Sequence, residues 1–459
     1  MKKYYLAIDI GASSGRHILG WLEDGQLKLE EIYRFKNGSK SVDGHLQWQS
    51  ERLIGEVVAG LKKAKEIGKV PEYIGVDTWA VDYALLDKND KIIGDIYSYR
   101  DSRTQAEIER VHNLLSFDQL YSKTGIQFQP FNTIYQLSAD ITSGKIQGAE
   151  SFLMLPDYIN FRLTGVKKQE YTNATSTGMV NAQTHQWDEE IIEKLGLPSK
   201  LFDQLSQPGS IVGTFSEEMQ KELGYQATVI LPATHDTASA VLAAPLDSAV
   251  PYISSGTWSL LGVESPKAYT DENSQNANYS NEGSIDYNFR YQKNIMGTWI
   301  IQSVRNEQPE EIGFGELADM ARGVNTELFI DVNDNRFLSP VNMSEEIDAA
   351  IGKPLNLETR MAVIYNGLAL SYKQAIEELE ANVGKKFATI NVIGGGCRDT
   401  YLNELTSKAT GKKVIIGPIE ATSIGNIIMQ MIGVGDIEDI VQARQIIKKS
   451  FDVKEIVHE

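Results

Sequence analysis

The sequence predicts a two-domain α/β protein, and three observations lead there. At 459 residues the chain exceeds what one hydrophobic core normally organises. Strand-like runs alternate with stretches of helical period along most of its length. The pattern strand, glycine turn, strand opens the chain at YYLAIDIGASSGRHILGWL and recurs at PYISSGTWSLLGV. The recurrence reads as an internal duplication at domain scale. The turn-like segment APLDSAVP separates the two copies, so domains are expected at 1–246 and 247–459.

Residues 4–10 read as a buried strand with Asp9 near its end. GASSGR follows as a tight turn, and HILGWLEDGQLKLEEIYRF supplies two strands around Asp24-Gly25. A hairpin straight after the glycines is unlike a Rossmann or P-loop unit, where a helix follows at once. SERLIGEVVAGLKKAKEIG reads as a helix capped by Ser50, with Leu53, Ile54, Val57, Val58 and Leu61 on its apolar face. PEYIGVDTWAVDYALLDKNDKIIG gives strand, loop and strand, with Asp77, Thr78, Trp79 and Asp82 in the loop. LPDYINFRLTGV is a helix ending at Gly165. TVILPATHDTASAVL is a short strand that ends in His235-Asp236 and opens a small-residue helix. In the second half, strands run to 300, and helices are expected over 315–322 and 358–380. Then come strand FATINVIGGG, helix TYLNELTSKATG, strand KVIIGP, the small-residue helix EATSIGNIIMQMIGVG and a charged surface helix.

Bulk composition narrows the function. The formal net charge is −18, from 62 acidic residues against 44 Lys and Arg, and such a field repels nucleic acid. One cysteine, Cys397, cannot staple the chain, which points to a reducing, cytoplasmic setting. No window approaches the apolar length of a membrane span, and Asp9 breaks the only apolar run near the N-terminus. No segment marks an obligate protein partner. Six scattered histidines, no HExxH and no GxSxG elbow argue against a zinc site or a Ser-His-Asp hydrolase.

The candidate chemistry sits in the turns. In Asp9–Arg16, glycines let successive N–H groups converge on phosphate oxygens, Ser13 and Ser14 add hydroxyls, and Arg16 adds a charged fork. Asp9 suits Mg²⁺, held through water. Ser255-Gly256-Thr257 is a second turn of the same kind. Asp236 is the candidate base, a carboxylate able to take the proton of a hydroxyl nucleophile, with His235 as a donor beside it. The same aspartate also fits a plain helix cap. Asp77, Thr78, Trp79 and Asp82 mix carboxylates with an indole, as a polyol site requires. Gly394–Gly396 permits close approach of a ligand to the backbone, and Cys397 reads as a passive small residue.

DIGASSGR (9–16), DTWAVD (77–82), THDTA (234–238), SGTWSL (255–260), NIMGTW (294–299) and GGGC (394–397) followed by Leu402-Asn403 occur in that order. Together they resemble the FGGY family of carbohydrate kinases over nearly the whole chain. The resemblance implies a two-domain actin/Hsp70/hexokinase-like (ribonuclease H-like) fold with a central cleft, and a sugar-binding domain followed by a nucleotide-binding one. It implies ATP and Mg²⁺, with Ala12, Ser13, Ser14, Gly15 and Arg16 on the ATP phosphates and Thr257, Gln302 and Gly395 also on ATP. Asp236 would be the proton acceptor. Ala80, His235, Thr237 and Asn294 would join it on the sugar, with Trp79 and Tyr83 as an apolar wall.

The subgroup most resembled implies transfer to the 1-hydroxyl of L-rhamnulose, in L-rhamnose catabolism. L-fuculose and L-xylulose are the alternatives within the class. A non-sugar ATP-binding structural protein of the same fold is the alternative outside it. Two positions depart from the subgroup: Ala80 stands where glycine is common, and Asp399 where asparagine is common. The first adds a methyl beside a backbone contact, and the second removes the usual amide near the nucleotide.

Overall fold

The computed structural model describes residues 2–245 and 250–457. The boundary expected after residue 246 lies outside the described residues. The chain divides into two compact units that interleave in sequence. The first comprises Met1–Ala243, Ser265–Tyr291 and Thr422–Ser450, and the second Ala244–Glu264, Gln292–Ala421 and Phe451–Glu459.

The first unit is built on β1 (Tyr5–Ile10), β2 (Ser14–Glu23), β3 (Gln26–Lys36), β4 (Tyr73–Thr78), β5 (Ile211–Thr214) and β6 (Thr228–Ile230). They form one sheet in the order β5-β6-β4-β1-β2-β3. β1, β4 and β6 run parallel, while β2 and β3 continue as an antiparallel meander. All six residues of β1 are buried, as a central strand covered on both faces requires. The helix Ser50–Glu66 buries Leu53, Ile54, Val57, Val58 and Leu61. Ser50 is not its cap: Gln49 holds that position, and Ser50 N donates to Asp95 Oδ1 at 3.0 Å. A further apolar cluster around Leu85, Phe152, Tyr171 and Trp187 forms in the long segment between β4 and β5.

The second unit carries β7 (Tyr252–Ser255), β8 (Trp258–Ser265) as far as Glu264, β9 (Phe289–Met296) from Gln292 onward, β10 (Thr389–Ile393), β11 (Lys413–Ile416) and β12 (Lys454–Ile456), while Ser265 and Phe289–Tyr291 count with the first unit. They lie in a seven-stranded sheet in which the strand Ser280–Gly283 stands at the edge beside β9, followed in order by β9-β8-β7-β10-β11-β12. β7 pairs antiparallel with β8 and parallel with β10, and β10 pairs parallel with β11. In both sheets the first strand is flanked by the next strand antiparallel and by a later strand parallel. The helices expected over 315–322 and 358–380 run Phe314–Arg322 and Leu357–Val383.

The small-residue helix Ala421–Gly433 packs, from Thr422 onward, within the first unit. A side chain at Gly425 would strike the backbone carbonyl of Ser239, and one at Gly433 that of Gly209. Its small residues thus serve close helix packing. No helix among the described residues is long and apolar enough to cross a membrane.

Candidate active site

In the first unit, strand register gathers the acids. Asp9 and Asp77 are partners in the parallel β1/β4 pair, so both project on one face near the strand ends. A parallel bridge joins Thr78 to His235, and Thr78 N donates to Thr234 O at 3.0 Å. That bridge brings the start of the helix Asp236–Leu242 to the same end of the sheet. Carboxyl ends of parallel strands are where open α/β sheets place ligands.

Asp9 is 6% exposed. Arg16, its antiparallel partner on β2, donates Nε and Nη2 to Asp9 Oδ2 at 3.0 and 2.8 Å. Asp77 is fully buried; its Oδ2 accepts from Asn426 Nδ2 at 2.5 Å and its Oδ1 has no partner. Burial, reinforced by the charge of Asp9, pushes the Asp77 carboxyl well above the ordinary range, and the Asn426 bond opposes this.

Asp236 stands at the first helical position, with His235 as the N-cap residue, so the plain capping role is not the one it takes. Its Oδ1 accepts from Thr237 N at 2.5 Å and Thr237 Oγ1 at 3.2 Å, and lies 3.4 Å from His235 Nε2. Among the described residues Oδ2 receives no donor. Burial raises the Asp236 carboxyl, His235 opposes the rise, and Asp9 adds to it.

The turn carrying this pair is anchored by Glu170, which is fully buried. Its carboxylate accepts from Thr172 N and Oγ1, Asn173 N, and Thr234 N and Oγ1, at 2.5 to 3.2 Å. On the other side, His235 Nδ1 lies 3.0 Å from Glu282 Oε2 and 3.1 Å from Arg290 Nη2. Neither Glu170, Glu282, Arg290 nor Asn426 belongs to a motif. The legible signal was polar side chains set among buried ones, as with Asn426 and Gln430 one helical turn apart in the largely apolar stretch Ile424–Ile432.

Several expected residues have other duties. Ala12 and Ser13 form the β1/β2 turn, while Ser14, Gly15 and Arg16 already belong to β2. Neither Gly11 nor Gly15 takes a positive φ; a side chain at Gly15 would strike the Phe35 ring. Glycine here serves close packing. Gly11 N is used on Ser14 O at 2.9 Å.

Asp82 does not present its carboxylate to a ligand. It is fully buried, and Oδ2 accepts from Trp48 Nε1 at 2.6 Å, Trp79 Nε1 at 2.8 Å and Tyr99 N at 3.2 Å. The expected polyol loop is thus an internal knot. Tyr83 also turns inward, its hydroxyl donating to Asp140 Oδ2 at 2.5 Å. Ala80 remains partly exposed beside Val81, whose φ is 68°.

In the second unit, Gly256 and Thr257 join β7 to β8, and the segment 297–299 closes on them. Thr298 N donates to Gly256 O at 3.0 Å and Trp299 N to Thr257 O at 3.2 Å. Gln302 Nε2 donates to Thr298 Oγ1 at 2.9 Å, which ties it to the same turn. Gly394–Gly396 follows β10, and a side chain at Gly396 would overlap Ser255. Thr257, Gln302 and Gly395 are thereby held on connected segments of this unit. Asn294 lies on β9 of the same unit. Asp399 caps the helix Thr400–Thr410 through Leu402 N at 3.0 Å and accepts from Tyr365 Oη at 2.7 Å. Cys397 is buried, and burial pushes its thiol up to about 12.

Comparison with known proteins agrees with this arrangement. Residues 4–243 match the N-terminal domain of the FGGY family of carbohydrate kinases, and residues 251–434 its C-terminal domain. A rhamnulokinase of Oceanobacillus iheyensis is 48% identical, over 99% of this chain and 98% of its own. A rhamnulokinase of Halalkalibacterium halodurans is 45% identical, over 99% and 98%. Among solved structures, xylulose kinase from Lactobacillus acidophilus covers 99% of this chain and 93% of its own, with a TM-score of 0.80 at 17% identity. Glycerol kinase from Plasmodium falciparum covers 98% and 94%, with a TM-score of 0.75 at 15% identity. The two-sheet α/β architecture is the fold of these kinases, and the chain belongs to the FGGY family of carbohydrate kinases.

Proposed function

We propose that this protein transfers the γ-phosphoryl group of ATP to the 1-hydroxyl of L-rhamnulose, giving L-rhamnulose 1-phosphate and ADP, as a cytoplasmic step of L-rhamnose catabolism. The substrate rests on the near full-length similarity to rhamnulokinases. The observation that carries the reaction type is the Asp236 carboxylate: its donors all fall on Oδ1, and Oδ2 is left to accept the proton of an attacking hydroxyl. Burial and the charge of Asp9 raise its basicity, which suits that role.

In this reading His235 and Thr237 hold the sugar beside the base, with Ala80 offering its backbone and Asn294 a side-chain amide. Ala12, Ser13, Ser14, Gly15 and Arg16 take the ATP phosphates, and Thr257, Gln302 and Gly395 the rest of the nucleotide. Among the described residues no group of three His, Cys, Asp or Glu forms a metal cage. Mg²⁺ on a nucleotide uses one or two carboxylates and water, and Asp9, the register partner of Asp77 at the strand end, fits that demand. The ion would neutralise charge on the transferring phosphoryl oxygens. Asp236 removes the hydroxyl proton, and the hydroxyl oxygen attacks phosphorus in line as the bond to ADP breaks.

The test is ADP release from Mg-ATP with L-rhamnulose, L-fuculose, L-xylulose, D-xylulose, glycerol or no sugar, for the parent and Asp236→Asn. The expected result is strong preference for L-rhamnulose, with roughly a hundredfold loss or more in the variant. Preference for another ketose would move the substrate and keep the chemistry. Equal turnover without sugar would replace the kinase reading by that of an ATP-hydrolysing structural protein.

A further inference from the structure

We infer that Glu282 and Arg290 are positioning residues for His235, and through it for the sugar hydroxyl presented to Asp236. The inference rests on the reading of His235 and Asp236 given above.

Arg290 is wholly buried and Glu282 is 5% exposed. Arg290 Nη2 donates to Glu282 Oε2 at 3.0 Å, and both atoms meet the Nδ1 edge of His235, at 3.1 and 3.0 Å. A guanidinium only donates and a carboxylate only accepts. The Nδ1 edge is therefore bracketed by one donor and one acceptor. Nδ1 makes one hydrogen bond at a time, accepting from Arg290 or donating to Glu282, and turning the ring over would set a carbon against both partners and forfeit it. The opposite edge, Nε2, is thereby kept toward Asp236, 3.4 Å away.

The pair is itself held rigidly. Arg290 Nε donates to Gly283 O at 3.1 Å, and Gly283 N donates to Thr175 Oγ1 at 2.8 Å. Thr175 ends the short helix Tyr171–Thr175, whose start is bound by Glu170, the anchor of Thr234. The two supports of the His235-Asp236 turn thus meet through one helix. Stability alone gives little reason for such a pair, because apolar residues of like volume generally serve a core as well as a buried ion pair. Its contact with a histidine beside the candidate base supplies the reason. Carboxylate partners that fix the outer nitrogen of a metal-bound histidine commonly matter about tenfold or more, and the same orienting role is open to Glu282 on a histidine that holds a substrate.

A double-mutant cycle tests this, read as ketose-dependent ADP release with kcat and both KM values. Glu282→Gln is made in the parent and in a His235→Ala background. Because that change leaves Arg290 buried alone, Glu282→Gln/Arg290→Met is made as well, removing both charges. Thermal unfolding and circular dichroism report folding for each protein. In the parent background, either variant is expected to lower kcat/KM for the ketose by about tenfold or more, with KM for ATP within about twofold. In the His235→Ala background the same changes are expected to alter it by less than about twofold, since the effect passes through the ring. An equal loss in both backgrounds, or no loss with His235 present, overturns the positioning role. A parent without ketose-dependent turnover overturns the reading of the site, and this inference with it.

Discussion

Asn426 donates to Asp77 at 2.5 Å, linking a helix near the end of the chain to the strand beside β1. Asn426 also donates to Gly75 O at 3.1 Å and accepts from Gln430 at 2.7 Å. Asn426→Leu keeps the side chain's branching and removes the donor, leaving a fully buried carboxyl with neither oxygen satisfied. A loss of about 2–3 kcal/mol is expected, read as a drop of several degrees in the unfolding midpoint. An unchanged midpoint would show that this bond does not hold the helix to the sheet.

The acid limb of activity should answer to Asp9. Burial raises the Asp236 carboxyl and Asp9 raises it further. A base works only when deprotonated, so activity is lost as pH falls through that raised value. Asp9→Asn removes a neighbouring negative charge and is expected to move the acid limb of kcat/KM to lower pH, even as the rate itself falls. A limb that stays put, or moves up, would show that Asp9 does not set the basicity of Asp236.

The strand, turn and helix pattern around THDTA was legible because it depends on neighbours in sequence. So was the hairpin after DIGASSGR, where β2 and β3 pair antiparallel around Asp24-Gly25. What was not legible comes from contacts far apart in the chain. DTWAVD looks like a polar loop, yet Trp48 and Gln136 reach Asp82 from distant segments and close it off. The placement of 265–291 and 422–450 in the first unit depends on contacts such as Asn281 to Gly125 and Gln430 to Leu6. Gly15 read as a flexible turn glycine, but its neighbour is the Phe35 ring. Local propensity does not encode such partners.

Glu380 gives the second unit a built-in acid sensitivity. Burial opposes its charge, but Lys386, Lys412 and Phe387 N bind the carboxylate at 2.5 to 2.9 Å and bring it down to about 2. The folded value lies below the ordinary 4.5, so the group stabilises the fold above that pH and the contribution is lost as pH falls toward 2. Glu380→Gln is therefore expected to lower the unfolding midpoint at pH 7, with the gap to the parent narrowing steadily in acid. A gap independent of pH would assign the loss to packing.

Two adjacent glycines separate folding from nucleotide binding. A side chain at Gly396 would overlap Ser255, whereas one at Gly395 meets nothing within 4 Å. Neither needs a positive φ, unlike Gly394 at 84°. Gly396→Ala must push β7 and the turn after β10 apart, and overpacking of this kind costs about 1–3 kcal/mol. Gly395→Ala leaves the fold intact and adds its methyl on the side open to a ligand. The expected outcome is a lowered unfolding midpoint for Gly396→Ala alone. For Gly395→Ala it is a normal midpoint with KM for ATP raised several-fold and KM for the ketose unchanged. A Gly395→Ala protein with unaltered ATP affinity would remove Gly395 from the nucleotide site.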